Sequence, residues 1–282
     1  MFTLNCNGRL LSTERPLVMG IINTTPDSFH DSSRKTTIPE IVKEAESMLI
    51  EGADILDIGG QSTRPGSTPL DADEEIKRVI NAITAIHQRF PDAVISVDTW
   101  YSKVAREAIA AGASVVNDIS AGMLDKEMLD TVASLSVPYV LMHMQGTPQT
   151  MQQSPTYSDV TTEVLDFLIQ RTQQVAKAGI KDIIIDPGFG FGKTISQNFE
   201  LLRNLAVFKI VGRPLLVGLS RKSTVSKTLN ITTEDSLNGT TVMNTVALLN
   251  GADIIRVHDV REAKEAVRLI EAYQHPSKKI SP

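Results

Sequence analysis

The side chains best suited to chemistry in this sequence stand at the ends of short β-branched runs. They are Asn23, Asp98, Asn117, His143, Asp186, Ser220, Arg256 and His258. Residues two apart on a strand point to the same side, so Arg256 and His258 share a face. Burying an arginine without an anionic partner is costly, which favours a functional role for this pair. The set predicts one convergent polar floor that contains two carboxylates, two amides, an arginine and a histidine.

Structural roles stay open for several of these residues. A carboxylate at a strand end also serves as a helix cap, which is the alternative for Asp98 and Asp186. One of Asn117 and Asp118 is expected to be a turn residue. His143 lies in "MHMQGTPQTMQ", where packing or hydrogen bonding in a loop is favoured over metal binding. Adaptable packing is expected of the nearby methionines, Met142, Met144 and Met151.

The stretch "DPGFGFGKT", residues 186–194, is similar to a phosphate-binding loop but cannot form one. The motif G-x-x-x-x-G-K-[ST] binds phosphate through backbone N–H groups at its glycines. Pro187 occupies the first glycine position, and proline has no N–H and a fixed φ. The dinucleotide motif G-x-G-x-x-G fails as well, because Lys193 stands in place of its third glycine. The sequence therefore excludes a P-loop nucleotide-binding protein.

Three further segments follow predicted strands and are candidates for binding. "NTTPDSFHD" (23–31) and "GGQSTRPGS" (59–67) exceed the roughly 2–6 residues of ordinary strand-to-helix loops. "SRKST" (220–224) opens a helix, with Ser223 as the expected N-cap. Its hydroxyl, the free N–H groups of the helix, Arg221 and Lys222 predict an anion site there.

The elements that position these residues alternate along the chain. Eight strands are predicted, at 18–23, 55–60, 94–98, 115–119, 139–143, 183–188, 215–220 and 254–259. Amphipathic helical stretches separate them, and several of these end at a glycine: Gly52, Gly112, Gly179 and Gly251. This pattern favours a (β/α)8 TIM barrel, whose active sites lie at the carboxyl ends of the strands. A doubly wound open sheet is the alternative.

The remaining features concern the chain as a whole. "FTLNCNGRLL" predicts a short N-terminal β-hairpin that plugs the bottom of the barrel, and 1–275 is expected to be one domain with a flexible tail at 276–282. A net charge of −5 argues against nucleic-acid binding, and the single Cys6 excludes an internal disulfide. Neither a signal peptide nor an apolar run of about 18 residues is recognised, so the cytoplasm is expected, with no membrane partner.

Eight motifs together resemble those of one known family. They are "MGIINTTPDSF", "DIGGQSTRPG", "SVDT", "ND", "MHMQGTP", "DPGFGFGK", "SRKS" and "IIRVHDV". In this order they resemble the dihydropteroate synthases, (β/α)8 barrels of folate biosynthesis that are usually homodimeric. The resemblance covers essentially the whole chain. It implies that (7,8-dihydropterin-6-yl)methyl diphosphate and 4-aminobenzoate condense to 7,8-dihydropteroate and pyrophosphate by an SN1-like path, and that sulfonamides compete for the 4-aminobenzoate site.

The resemblance also implies which residues bind the pterin. Its N–H edge would be bound by Asp98, Asn117 and Asp186, since carboxylates accept such donors in bidentate fashion. Lys222 would reach the opposite heteroatoms and take part in catalysis. The pocket wall would be completed by Met142, Gly190 and Phe191.

Two further groups of residues are implied in the same way. The leaving diphosphate would be bound by Asn23, Thr63, Arg256 and His258. Asn23 would also hold Mg²⁺ through its amide oxygen, with water and phosphate oxygens completing the shell. The 4-aminobenzoate would be bound by Phe29, Pro65 and Ser223. Catalytic roles fall to Asp31, which would face the developing cation, and to Arg64, which would organise the closed loops.

Some positions depart from the family pattern. Gln61 stands where the family usually has Glu, which removes a charge beside Arg64. His30 replaces a small residue such as Ser, and Val225 with Ser226 replaces Ile-Gly. Two rival interpretations are a corrinoid-dependent methyltransferase with a pterin barrel and a non-catalytic pterin-binding barrel. The diphosphate-binding motifs count against the first, and the full set of binding residues counts against the second.

Overall fold

A computed structural model describes residues 1–24, 37–61 and 69–276. The strands are β1 (Thr3–Cys6), β2 (Arg9–Ser12), β3 (Leu17–Asn23), β4 (Ile55–Gly59), β5 (Ile95–Asp98), β6 (Val115–Asp118), β7 (Tyr139–Met142), β8 (Ile183–Asp186), β9 (Leu216–Val217) and β10 (Ile254–Val257). The first two form an antiparallel hairpin, and the others form a parallel sheet.

Helices alternate with the strands of the parallel sheet. They are α1 (Ile38–Glu51), α2 (Ala72–Arg89), α3 (Ser102–Ala110), α4 (Met128–Leu135), α5 (Val160–Lys177), α6 (Ile195–Arg203), α7 (Ser223–Leu229), α8 (Leu237–Leu249) and α9 (Val260–Gln274). Two 3-10 helices, Leu205–Val211 and Glu234–Ser236, precede β9 and α8. Among the described residues, no helix combines the length and the apolarity needed to cross a membrane.

The parallel sheet closes on itself. Its order is β8-β7-β6-β5-β4-β3-β10-β9, so the last strand pairs with the first barrel strand. A parallel bridge joins Ile185 of β8 to Leu215 beside β9, and the N–H of Ile185 donates to the carbonyl of Pro214 at 2.9 Å. In a doubly wound open sheet the two edges would not meet. The predicted (β/α)8 barrel is therefore confirmed and the open sheet is excluded.

All eight predicted barrel strands are present, and seven lie within two residues of their predicted bounds. The exception is the run predicted at 215–220, whose ladder is limited to Leu216–Val217. After Val217 the chain leaves the ladder and turns at Ser220 and Arg221 toward α7. This early departure frees the backbone to carry Lys222 and Ser223 at the mouth of the barrel.

The lower half of the barrel interior is apolar. Its inward positions form one buried cluster: Leu17, Met19, Ile55, Val94, Val115, Val140, Ile184, Leu216 and Ile254. Leu4 and Cys6 of the hairpin join this cluster and are 2% and 3% exposed, so the hairpin plugs the bottom as predicted. Its turn residues Asn7 and Gly8 have φ of 54° and 89°, which a two-residue hairpin turn requires.

Helix ends follow the sequence signals, with one correction. The four glycines predicted to end helices all have positive φ, and a Cβ at Gly112 would also lie 2.4 Å from Cγ of His87. The prediction that Ser223 caps α7 was wrong by one residue. Lys222 is the N-cap, with extended backbone at φ −79° and ψ 156°, and Ser223 is the first helical residue. Sequence signals rarely locate a helix start more closely than this.

The position of the hairpin predicts that two of its leucines contribute differently to the stability of the protein. We expect Leu4→Ala to lower the free energy of unfolding by about 2–5 kcal/mol, because it removes a buried side chain from the bottom of the core. Leu10→Ala is the matched control, since Leu10 is 71% exposed, and we expect a change within about 0.5 kcal/mol. Urea titration of both variants measures the difference. Equal stabilities would show that the hairpin is not part of the cooperative core.

Candidate functional site

A buried ion cluster lies directly above the apolar layer. Arg256 on β10 donates from Nε to Oδ2 of Asp57 at 2.6 Å and from Nη2 to Oδ2 of Asp98 at 2.8 Å. Asn117 on β6 donates from Nδ2 to the same oxygen of Asp57 at 3.0 Å. The side chain of Asp57 is fully buried, whereas those of Arg256 and Asp98 are 22% and 13% exposed. The cluster therefore runs from the interior of the barrel to its opening.

Asp57 is the member of this cluster that the motif reasoning missed. It lies inside the strand run "ILDIGG" rather than at a strand end. The sequence does contain a signal for its inward direction. Asp57 lies two residues after Ile55, and the side chain of Ile55 lies in the barrel interior. Oδ1 of Asp57 is buried and has no hydrogen-bond partner among the described residues. Within the described part of the chain, the cluster thus keeps one acceptor unsatisfied.

One carboxyl of the cluster, that of Asp98, has a pKa close to neutral pH. Burial raises the pKa of Asp98 to about 7, against the opposing effect of Arg256 and with a further rise from Asp57. A ligand that donates N–H groups to Asp98 favours its ionised form. Binding of such a ligand at this position is therefore coupled to release of a proton near neutral pH.

A second charged pair lies beside this cluster. Oδ1 of Asp186 accepts from the N–H of Gly188 at 2.7 Å. Nζ of Lys222 donates to the carbonyl of Phe189 and lies 4.9 Å from the centre of the Phe191 ring. Burial lowers the pKa of Lys222 to about 8, opposed by Asp186, and burial likewise raises the pKa of Asp186. The pair offers one acceptor and one donor to a ligand in the same pocket.

Glycines keep the space around these groups open. A Cβ at Gly218 would lie 3.7 Å from Nζ of Lys222 and 3.9 Å from Cβ of Arg256, so the two cations border one pocket. A Cβ at Gly59 would lie 3.7 Å from Oδ2 of Asp98 and 3.8 Å from Oδ1 of Asn23. The structure therefore brings together the predicted strand-end residues Asn23, Asp98, Asn117, Asp186 and Arg256, with Lys222 beside them.

The rim of the pocket contains a histidine and a serine. Oγ of Ser220 and Nδ1 of His258 are 3.0 Å apart, and the exposed His258 also donates its backbone N–H to that Oγ at 3.2 Å. Arg221 does not complete an anion site here, contrary to prediction. Its guanidinium pairs with both carboxylate oxygens of Asp259, at 3.0 Å from Nε and 2.6 Å from Nη2.

His143 also stands at a strand end but lies apart from the polar floor. It follows Met142, and strand alternation turns its ring away from the barrel interior. The ring packs edge-on against Phe167 with centroids 4.9 Å apart, and Nδ1 lies 3.0 Å from Nζ of Lys193. Burial lowers the pKa of His143 to about 3, so the imidazole is neutral. The expected packing and hydrogen-bonding role is thus confirmed.

The predicted methionine packing is also confirmed. Met142, Met144 and Met151 form a buried cluster with Trp100 and Ile119, and the partly buried Phe191 packs against it. This apolar cluster adjoins the polar residues, because Phe191 contacts both Lys222 and the methionines. The pocket therefore combines an apolar wall with charged groups, as sites for small organic ligands commonly do.

Gln61 has a structural role that the sequence did not reveal. Its Nε2 donates to Oε2 of the fully buried Glu75 at 2.6 Å, and its Oε1 accepts from the N–H of Leu70 at 3.1 Å. Burial raises the pKa of Glu75 to about 7. An amide at position 61 can donate to this carboxyl in either protonation state, which a second carboxylate could not do.

Several predicted site residues lie outside the described residues, so their roles stay predictions. They are Phe29, His30, Asp31, Thr63, Arg64 and Pro65. Among the described residues, no group of three or more His, Cys, Asp and Glu side chains could hold a metal ion. The amide oxygen of Asn23 suits an ion that takes most of its ligands from substrate and water, as Mg²⁺ does.

Arg256 predicts a pH-dependent stability defect. We expect Arg256→Met to lower the free energy of unfolding by about 3–5 kcal/mol, because it leaves two buried carboxylates without a cation. Without Arg256 the folded-state pKa of Asp98 rises further. Because the pKa of Asp98 is already about 7 with Arg256 present, the cost of a further rise appears as the pH passes through about 7, so the defect is larger at pH 7.5 than at pH 5.5.

The control for this prediction is Arg261→Met. Arg261 is 67% exposed and pairs with Glu51 at 3.3 Å, so we expect a loss below about 1 kcal/mol. Chemical denaturation at pH 5.5 and 7.5 measures both variants. A defect of Arg256→Met that does not change with pH would contradict the assignment of Arg256 as the cation that supports the two carboxylates.

Comparison with known proteins agrees with this site. Residues 19–258 match the family model described as "Pterin binding enzyme". The dihydropteroate synthase of Escherichia coli is 44% identical over 271 residues, which cover 95% of this chain and 95% of that protein. A family that binds pterins is consistent with a pocket of carboxylates, an amide and a lysine beside an apolar wall.

Solved structures extend the comparison to three dimensions. The Yersinia pestis dihydropteroate synthase with a sulfonamide drug has a TM-score of 0.92 and 41% identity, over 97% of this chain and 99% of that chain. The Xanthomonas albilineans dihydropteroate synthase in complex with 7,8-dihydropteroate has a TM-score of 0.87 and 39% identity, over 97% and 99%. The chain described here therefore belongs to the dihydropteroate synthase family of pterin-binding enzymes.

Proposed function

We propose that this chain condenses (7,8-dihydropterin-6-yl)methyl diphosphate with 4-aminobenzoate to 7,8-dihydropteroate and pyrophosphate. The observation that carries the proposal is the set of hydrogen-bonding groups gathered at the mouth of one closed barrel. Asp98 and Asp186 supply acceptors there, and Lys222 supplies a donor next to the Phe191 ring. Family membership supplies the reaction class.

The pterin ring is bound by its polar edges. Its amino and ring N–H groups donate to the carboxylates of Asp98 and Asp186 and to the amide oxygen of Asn117, and ionised carboxylates accept such pairs strongly. Lys222 donates to the acceptor atoms of the ring. Met142, Gly190 and Phe191 form the wall on which the ring rests, supported by the packing of Met142 and Phe191 against Trp100.

The chemistry begins when the bond between the exocyclic methylene and the diphosphate oxygen breaks. Both electrons leave on oxygen, and the electron-rich dihydropterin delocalises the positive charge on carbon, which favours an SN1-like path. The arylamine nitrogen then forms the new C–N bond and releases a proton to water. Arg256 and His258 lie at the opening and stabilise the negative charge of the departing diphosphate.

Mg²⁺ is proposed to assist this departure. Asn23 would hold the ion through its amide oxygen, next to Asp98 across the gap at Gly59, and the ion would neutralise charge on the diphosphate. By resemblance, Thr63 also binds the diphosphate, Asp31 faces the developing cation and Arg64 organises the two loops.

The 4-aminobenzoate is proposed to bind at the outer part of the pocket. By resemblance, Phe29 and Pro65 hold its ring and Ser223 binds its carboxylate. Ser223 is exposed and follows Lys222 directly, which supports access from this side. Sulfonamides would compete for the same position.

We propose a homodimer in the cytoplasm as the working form of the enzyme. Helix α8 supports the dimer, because Val242, Val246 and Leu249 recur along one of its faces and are 55%, 36% and 47% exposed. An exposed apolar stripe of this kind is typical of a surface that contacts another protein. Sedimentation at several concentrations measures the dimer, and a monomer at high concentration would refute it.

The proposed reaction is tested by following both products. Purified chain is incubated with the dihydropterin diphosphate and Mg²⁺, with and without 4-aminobenzoate, and pyrophosphate and dihydropteroate are measured in parallel. Equal amounts of the two products, both dependent on 4-aminobenzoate, are expected. Pterin binding without either product would refute the synthase and favour a non-catalytic barrel.

Lys222 predicts a loss of activity without loss of fold. We expect Lys222→Ala to lower kcat/KM about 10- to 150-fold, the effect of losing one charge-assisted hydrogen bond to the substrate. Lys227→Ala, an exposed lysine on the same helix, is the control and should retain activity. Steady-state kinetics and thermal unfolding of both variants are compared. Near-normal turnover of Lys222→Ala, or its unfolding, would count against the role.

Asp98 predicts how pterin affinity depends on pH. Because the pKa of Asp98 is about 7, the carboxyl is ionised above that pH and can accept two N–H donors. We expect pterin affinity to fall as the pH drops below about 7, by about tenfold per unit at the lowest values. Titration calorimetry from pH 5.5 to 8.5 measures this. Asp98→Asn should bind weakly with a flatter profile, and a flat wild-type profile would contradict the assignment.

A further inference from the structure

The loop that follows β8 is held by side chains at every one of five successive carbonyls. Those of Gly188 and Phe191 accept from Nζ of Lys193 at 2.9 Å and 3.1 Å, and that of Phe189 accepts from Lys222. The other two, Gly190 and Gly192, accept from Gln152 Nε2 at 2.5 Å and from the Tyr157 hydroxyl at 2.9 Å. Backbone–backbone bonds make up about two-thirds of protein hydrogen bonds, and here one of them, from the N–H of Phe191 to the carbonyl of Gly188 at 3.1 Å, accompanies the side-chain donors.

Lys193 is the only one of these donors that binds two of the carbonyls. Lys193 is 2% exposed, and its Nζ also lies 3.0 Å from Nδ1 and 3.5 Å from the carbonyl oxygen of His143. A charged Lys193 has three donors for these four acceptors, and burial lowers its pKa to about 7. A neutral imidazole is the acceptor that this arrangement needs, and burial keeps His143 neutral. Lys193 therefore joins both ends of the loop to the segment after β7.

The loop has little freedom to move relative to that segment. A Cβ at Gly188 would lie 1.9 Å from the carbonyl oxygen of His143, and a Cβ at Gly192 would lie 2.5 Å from that of Gln145. Both glycines have positive φ, of 71° and 64°. Backbone packs directly on backbone here, so a shift of the loop would also displace the groups that it presents on its other side.

The groups on the other side of the loop include two that contact the ammonium of Lys222. The Phe189 carbonyl accepts from Nζ of Lys222, and the Phe191 ring lies 4.9 Å from the same atom. We propose that Lys193 is a positioning residue, which fixes the 187–192 loop from behind and thereby sets the position of the Lys222 ammonium in the pterin pocket. This inference rests on the proposed function for the identity of the ligand.

A double-mutant cycle tests the proposal. Affinity for 6-hydroxymethylpterin is measured by titration calorimetry for the wild type, Lys193→Met, Lys222→Met and the double variant. If Lys193 acts through Lys222, we expect Lys193→Met to weaken binding at least tenfold in the wild type and less than twofold when Lys222 is already absent. Independent effects that multiply would overturn the proposal, as would an unchanged affinity of Lys193→Met.

A control variant tests whether a loss of stability alone weakens pterin binding. Leu4→Ala removes a side chain at the far end of the barrel, so we expect its pterin affinity to stay within twofold of wild type. If Lys193→Met does not fold, Lys193→Gln, which retains two N–H donors, replaces it in the same cycle. Failure of both variants to fold would assign Lys193 to the fold as a whole and would also overturn the proposal.

The outcomes separate this inference from the proposed function. A wild type that forms dihydropteroate, together with a Lys193→Met variant of unchanged pterin affinity, refutes the inference alone. A wild type that binds the pterin and forms no dihydropteroate refutes the proposed function alone, and the cycle still reports whether Lys193 and Lys222 are coupled.

Discussion

The guanidinium of Arg256 lies between the carboxylates of Asp57 and Asp98, and the other polar groups of the pocket are arranged around it. Buried carboxylates are costly without a cation, and a buried cation is costly without carboxylates. Each charge in the cluster therefore depends on the others. Because Oδ1 of Asp57 has no hydrogen-bond partner among the described residues and the pKa of Asp98 is about 7, the network can accept donors from a ligand.

The barrel supplies the environment that gives these charges their properties. Its lower layer is apolar and is closed from below by Leu4 and Cys6 of the hairpin. This arrangement removes water from beneath the polar layer, so burial is the main cause of the shifted pKa values of Asp98 and Lys222. The plug and the pocket lie at opposite ends of the barrel, with the apolar layer between them.

Much of this organisation can be predicted from the sequence. The alternation of predicted strands and helices favoured a (β/α)8 barrel with an open sheet as the alternative, and strand-end position identified Asp98, Asn117, Asp186 and Arg256. The same reasoning noted His143 at a strand end, and alternation from Met142 turns its ring away from the floor, in keeping with the packing role favoured for it. It also missed Asp57, which lies inside a strand run. Only its spacing of two residues from Ile55, whose side chain lies in the barrel interior, shows that Asp57 points the same way.

The sequence by itself determined the elements, their order and the family, because these depend on periodicity and on motifs local in the chain. Only the tertiary structure decided the partners of each charge. Arg221 pairs with Asp259 rather than facing the pocket. Lys193 donates to carbonyls of the 187–192 loop and lies next to the neutral imidazole of His143. These pairings depend on burial and on distances between segments that are far apart in sequence. No local pattern specifies either.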